Sequence, residues 1–332
     1  KDFNIVTMNL STNYLGLELK NPIVVGSSPL TGTVEGVKAC EEAGAGAVIL
    51  KSLFEEQILK DVKKEESHDF YDNDPEMYAY MVSYLRGNEI ELYTDLIRGA
   101  KAAVHIPIIA SINCTDAGEW VNIAKIFEDA GADALELNIA ISPFDRTITA
   151  DEIEDKMIEI LKSVKTIVKI PVSVKIGDHF TNIAHVAFRL VENGADGLVL
   201  FNRFYNSDID VDEMKVVPGH AFSVPEENGS TLRWVSLLAA QKIPCHLAAS
   251  TGIHDAKDVV KQILAGATVV QLCSVLFHKG VSVIHTILDD LNVWMQKHQF
   301  DSVQQFRGTL CNNSNVKLME RLQYLRRNNN EN

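Results

Sequence analysis

Four times along this chain a helix-like stretch ends in nearly the same short phrase, and an apolar run follows at once. The phrases are Ala43-Gly44-Ala45-Gly46-Ala47, Ala130-Gly131-Ala132-Asp133-Ala134, Asn193-Gly194-Ala195-Asp196-Gly197 and Ala265-Gly266-Ala267-Thr268. The runs behind them are Val48-Ile49-Leu50, Leu135-Glu136-Leu137, Leu198-Val199-Leu200 and Val269-Val270-Gln271-Leu272. A glycine just past a helix tolerates the left-handed conformation that closes the last turn, so the chain drops straight into a strand. Repetition of that joint is what a wound βα architecture of parallel strands covered by helices needs, and such folds gather their chemistry at the carboxyl ends of the strands.

The pattern extends to eight strands. They are read at Asn21 to Ser27, Ala47 to Leu53, Pro107 to Asn113, Ala134 to Ala140, Pro171 to Ile176, Gly197 to Asn202, Pro244 to Ser250 and Thr268 to Ser274, with helical patterns between them. This predicts a (β/α)8 barrel of α/β class, one domain over residues 1–332 with residues 1–20 as a lead-in. Two insertions are expected. A polar stretch from Glu55 to Tyr93 follows strand two and reads as a solvated face. A Gly/Pro-containing excursion at 203–230 follows strand six and is long enough to be an active-site lid.

Charge and cysteine usage narrow the function classes. A net charge of -14 in 332 residues disfavours a nucleic-acid binder, which needs a basic face. No apolar run reaches the roughly 20 residues that span a bilayer, and no signal-peptide pattern opens the chain. The five cysteines lack metal-like pairing and read as reduced thiols of a cytoplasmic protein.

The predicted strand ends bring together Ser27, Ser28, Lys51, Ser52, Asn113, Asn138, Lys175, Asn202, Ser250, Thr251, Gly252, Cys273 and Ser274. A lysine at a buried strand end needs an anionic partner, because an uncompensated buried charge costs several kcal/mol. A core carboxylate would satisfy one such lysine. Two in one mouth, with few acids at neighbouring strand ends, point to an anionic ligand. The loops after strands seven and eight are the usual phosphate site of this barrel, and Gly252 lets backbone donors come close. Together with the lysines they suggest a phosphate-bearing cofactor.

In order along the chain stand Leu15-Gly16-Leu17, Asn21-Pro22, Lys51-Ser52, Leu135-Glu136-Leu137-Asn138 with Ser142-Pro143, and Val172 to Lys175. Asn202, Thr251-Gly252-Ile253 with Asp255-Ala256, and Gly266 to Leu272 follow. This succession resembles the FMN-dependent dihydroorotate dehydrogenase family from Leu10 to about Gln304. The resemblance implies FMN across the barrel mouth and oxidation of dihydroorotate to orotate in pyrimidine biosynthesis. It implies Ser27, Ser28, Lys51, Ser52, Asn113, Asn138, Lys175, Ser250, Thr251, Gly252, Cys273 and Ser274 as cofactor-binding residues. Lys51, Asn138, Asn202 and Arg203 would bind substrate, and Ser142, Lys51 and Lys175 would be catalytic, with Ser142 as the base. No metal is implied. The expected electron acceptor is fumarate, or NAD through a partner subunit, and the expected assembly is a homodimer.

Departures fall on the substrate half of the pattern. Phe144 stands where the family has a substrate-binding asparagine, and Tyr84 to Asn88 replaces an asparagine-containing motif. Arg203 follows Asn202 where the family has a serine or threonine, and Thr251 replaces a glycine of the phosphate turn. Arg203 suits a substrate carboxylate or a surface pair. The alternatives are a related flavin oxidoreductase acting on another cyclic acid or amide, a Schiff-base lyase using Lys175, and an FMN-binding barrel without turnover.

Overall fold

The computed structural model describes residues 8–54, 75–113, 117–139, 141, 145–204 and 207–320. Eight parallel strands form the barrel: β1 Ile23–Val25, β2 Ala47–Ile49, β3 Ile108–Asn113, β4 Ala134–Asn138, β5 Val172–Ile176, β6 Gly197–Leu200, β7 His246–Ser250 and β8 Val269–Leu272. Neighbours pair in the order β2-β1-β8-β7-β6-β5-β4-β3, and the β2–β3 pairing closes the ring. All eight lie within the predicted spans, trimmed at the ends where loops begin. The (β/α)8 expectation holds.

Among the described residues seven helices connect the strands: α1 Val34–Glu42, α2 Pro75–Ala103, α3 Ala117–Asp129, α4 Ala150–Lys165, α5 Ile183–Glu192, α6 Asn228–Ala240 and α7 Ala256–Leu264. A short α8, Ser274–Lys279, and a longer α9, Val283–His298, follow β8. The repeated glycines do what the sequence asks of them: Gly44, Gly131, Gly194 and Gly266 take φ of +97°, +102°, +102° and +109°. Caps fix the other ends, as where Thr149 and Glu152 form a reciprocal capping box on α4.

Alternation along the strands divides the interior into two cores. Leu135 and Leu137 of β4, Val270 and Leu272 of β8, and Ile108, Ala110 and Ile112 of β3 face the helices. Ala134, Val269, Ile109, Ala248 and Val199 instead meet inside the barrel, over Tyr14, Leu15 and Leu19. Those three belong to an antiparallel hairpin, Thr12–Tyr14 with Leu17–Leu19, which plugs the amino-terminal end. The lead-in is therefore part of the barrel floor.

The two insertions differ from their sequence reading in detail. Residues 55–74 lie outside the described residues. From Pro75 onward the supposed solvated face is helix α2, and its Tyr93 is buried. The Tyr93 hydroxyl accepts the Ser111 N–H at 2.9 Å and donates to the Ser111 carbonyl at 3.2 Å. These backbone groups sit where β2 has already left β3: β2 pairs with Ile108 and Ile109, and the short strand Leu53–Phe54 rejoins at Ile112. A buried backbone pair without a ladder partner needs a side chain, and Tyr93 supplies it. The second excursion contains a hairpin, Ser207–Asp210 with Lys215–Pro218, and ends earlier than expected because α6 starts at Asn228.

Candidate active site

Above the apolar floor, the inward positions turn polar. In a strand, residues two apart share a face, so Ala134 is followed inward by Glu136 and Asn138, Ile109 by Ser111 and Asn113, and Val269 by Gln271. Lys175 pairs in register with Asn138, which places both at the same height of the barrel mouth.

Several cavities open there among the described residues, and two of them carry the strand-end side chains. One of about 310 Å³ is lined by Ser27, Ser28, Lys51, Ser52, Asn138, Lys175 and Asn202, together with Pro29 and Glu136. The other, about 200 Å³, is lined by Ser250, Thr251, Gly252, Cys273, Ser274 and Arg203, among others, and shares Ser27, Lys175 and Asn202 with the first. Thus the residues expected at the strand ends come together, with one exception. Asn113 ends β3 but lines neither cavity. Ser142 and Phe144 lie outside the described residues. Asn88 is exposed on α2.

A larger cavity of about 840 Å³ lies at the opposite, amino-terminal face, beside Asp196, His246, Thr268 and Arg307. There His246 Nδ1 accepts the Leu15 N–H at 3.1 Å, which secures the plug. In barrels of this kind catalysis occupies the carboxyl-terminal face, so the smaller cavities are the candidate site.

Lys175 has a partner that the sequence reading did not count. Its Nζ lies 4.0 Å from Glu136 Oε1 and donates to Gln271 Oε1 at 3.2 Å, while Gln271 Nε2 donates to Glu136 Oε2 at 2.7 Å. Few acids were expected near the strand ends, yet Glu136 is there, hidden in the run Leu135-Glu136-Leu137. Burial raises its pKa, against the opposing pull of Lys175 and Gln271. Lys51 differs: among the described residues no carboxylate lies within ion-pair distance of it.

On one side of the mouth, hydroxyls form a chain. Ser27 Oγ accepts the Ser52 N–H at 2.8 Å and lies 3.0 Å from Ser52 Oγ, which lies 2.7 Å from Ser111 Oγ. Across it, Asn202 Nδ2 donates to Asn138 Oδ1 at 2.9 Å. Among the described residues this bond leaves the Asn138 amide hydrogens and the Asn202 side-chain oxygen to meet a ligand.

At the β7 and β8 ends, Ser223 of the excursion joins the two loops. Its hydroxyl accepts the Gly252 N–H at 3.2 Å and donates to Ser274 Oγ at 3.0 Å, and its own N–H donates to Ser274 Oγ at 2.9 Å. The Gly252 backbone is tightly placed. A Cβ there would stand 2.3 Å from the Asn228 nitrogen, and φ is +72°. Thr251 beside it has φ +83°, a conformation that a β-branched residue adopts only under constraint.

Arg203 pairs with a carboxylate of its own chain. Its Nε and Nη2 meet Glu227 at 2.8 and 3.3 Å, and Nη1 donates to the His220 and Ala221 carbonyls at 2.9 and 3.2 Å. The guanidinium thereby fastens the excursion over the mouth. Burial pushes the Glu227 carboxyl up, but the Arg203 and Val224 hydrogen bonds outweigh it and hold the pKa below the usual range. Ser223, Glu227, Gln271 and Glu136 are the residues that the sequence reading missed. For Glu136 and Gln271 the signal was available: each is polar at an inward position of an otherwise apolar strand.

The family model described as dihydroorotate dehydrogenase matches residues 85–295. The catalytic subunit of the NAD(+)-type dihydroorotate dehydrogenase B of Thermoplasma acidophilum is 27% identical over 90% of this chain and 98% of its own length. Its counterpart in Methanocaldococcus jannaschii is also 27% identical, over 85% of this chain and 92% of its own. A subunit of the NAD-dependent dihydropyrimidine dehydrogenase of Escherichia coli is 22% identical over 93% of this chain and 78% of its own length. Among the described residues no helix is long and apolar enough to cross a membrane. With one barrel, one polar mouth and a match across most of its length, the chain belongs to the dihydroorotate dehydrogenase family, as a divergent member.

Proposed function

We propose that the chain is an FMN-dependent oxidoreductase that oxidises dihydroorotate to orotate. One observation carries this reading: two lysines and the Asn138–Asn202 pair line a cavity that adjoins a convergent set of hydroxyl and amide donors. The residues fit FMN. Gly252 N–H and the hydroxyls of Ser223 and Ser274 already meet at one point, and such a set suits a phosphate dianion. Ser28 Oγ is buried beside the Cys273 thiol without a well-formed hydrogen bond, a place for a ligand's polar edge.

In this assignment Thr251, Gly252, Cys273, Ser274 and Ser250 hold the phosphate end, while Ser27, Ser28, Ser52 and Lys175 hold the ring. When bound, FMN supplies the acceptor for a hydride equivalent. The lysines offer positive charge toward developing negative charge in the mouth. Asn138 and Asn202 present a free donor and a free acceptor, a match for the alternating N–H and C=O groups of a cyclic imide. Ser142 takes the proton from the carbon next to the one that loses hydride, and passes it to water or a neighbouring group. The excursion, fastened by Arg203, excludes bulk water. The names of the archaeal relatives support NAD as the final acceptor through a partner subunit, and a homodimer is the assembly proposed.

A second reading follows from Arg203. With its fork on Glu227, the guanidinium is not offered to a substrate carboxylate, and one relative is named for a dihydropyrimidine. A neutral cyclic amide is therefore the alternative substrate. Anaerobic titration of the FMN-loaded protein with L-dihydroorotate, and separately with dihydrouracil, decides between them. Bleaching of the flavin band by dihydroorotate supports the first reading, and bleaching by dihydrouracil alone supports the second. A protein that takes up no FMN overturns both.

A further inference from the structure

Glu136 and Lys175 project into the barrel from adjacent strands, yet they do not form the hydrogen-bonded pair that their charges favour. Their side chains are 1% and 13% exposed, and Nζ stands 4.0 Å from Oε1, beyond hydrogen-bond reach. In so dry a place opposite charges attract strongly, and a lysine stem easily covers the remaining ångström. Glu136 Oε1, the oxygen nearest the ammonium, is buried without a hydrogen-bond partner. It marks the bond that is not made.

Gln271, reaching in from β8, stands between them. Lysine can only donate and carboxylate accepts, so the amide has one workable orientation, oxygen to Lys175 and nitrogen to Glu136, with bonds of 3.2 and 2.7 Å. We propose that Gln271 is a positioning residue that holds Lys175 off Glu136 and keeps its ammonium turned to the mouth. Among the described residues one of the three Nζ donors is used, on Gln271, and two remain for the ligand. Glu136 anchors the spacer from the other side, accepting the Gln271 amide hydrogen at 2.7 Å. The assignment of a flavin to that mouth rests on the function proposed above, whereas the spacing itself does not.

Gln271→Leu removes both bonds at similar volume, and Gln271→Met does so at similar length should the first variant fold poorly. Lys175 then closes on Glu136. A direct ion pair buries the amine against the carboxylate, so it is less often free to meet a reagent. Acylation of Lys175 by acetic anhydride, read by peptide mass spectrometry on the folded, FMN-free protein, should slow roughly tenfold or more, the order of one charge-assisted hydrogen bond. In Gln271→Leu/Glu136→Gln no carboxylate remains to capture the lysine, and the rate should return to within about threefold of Glu136→Gln alone. FMN affinity, measured by flavin fluorescence, should follow the same order. Unchanged Lys175 labelling in Gln271→Leu, or a double variant slower than either single one, overturns the spacer role. Failure of the wild-type protein to take up FMN overturns the function proposed above and leaves the labelling result to decide the spacer.

Discussion

Tyr93→Phe isolates the cost of the gap between β2 and β3. The ring stays, with its stacking against Phe127 at 4.4 Å between centroids, so packing is conserved. Only the hydroxyl goes, and with it both bonds to the Ser111 backbone. Each neutral hydrogen bond contributes about 1 kcal/mol, and the stranded N–H adds part of its desolvation penalty. A loss of about 2–3 kcal/mol is expected. For a urea slope of about 3 kcal/mol per molar, the unfolding midpoint should drop by about 0.7–1 M. Hydrogen exchange at the Ser111 amide should accelerate in parallel, since no strand protects it there. A loss below about 0.5 kcal/mol would refute the reasoning, because it would mean that water or a shift of β2 satisfies the same groups at no cost.

Three further outcomes test the site's construction. Thr251→Gly should stabilise the fold by about 1 kcal/mol, because glycine accepts the positive φ of +83° that threonine holds under strain; urea unfolding reads it. The Arg203–Glu227 latch should weaken in acid. The carboxyl's folded pKa lies below its ordinary 4.5, so its contribution is complete above 4.5 and disappears as pH falls through the lower folded value. Limited proteolysis with pepsin should therefore cut the 203–230 excursion only in that acid window, and Glu227→Gln should allow cutting at higher pH. Burial raises the Cys40 thiol to about 11 and the Cys245 thiol to about 12, so both should resist a disulfide reagent at pH 8 until the protein is unfolded.

What could be read from the chain was whatever rests on local chemistry. The glycine joints announced the strand starts because a left-handed residue after a helix has few other uses, and those glycines do take φ near +100°. The strand ends followed from them, so Lys51, Lys175, Asn138 and Asn202 were placed in one mouth by counting. Partnerships across the barrel were not available in that way. Tyr93 sits in a stretch rich in acids, and its bonding partner lies on the next strand, reached only after α2 has turned back. Arg203 suited a ligand or a surface pair equally, and the choice was made by Glu227, 24 residues on, once the excursion folded over. One signal was present and unread. On β4 the inward residues run Ala134, Glu136, Asn138, and on β3 they run Ile109, Ser111, Asn113. Each inward series becomes more polar toward the carboxyl end, while the outward series stays apolar throughout. A register slip of one residue would turn every one of these polar groups into the helix-facing core at several kcal/mol each. The same alternation that fixes the strand register therefore fixes which end of the barrel can hold a charged ligand.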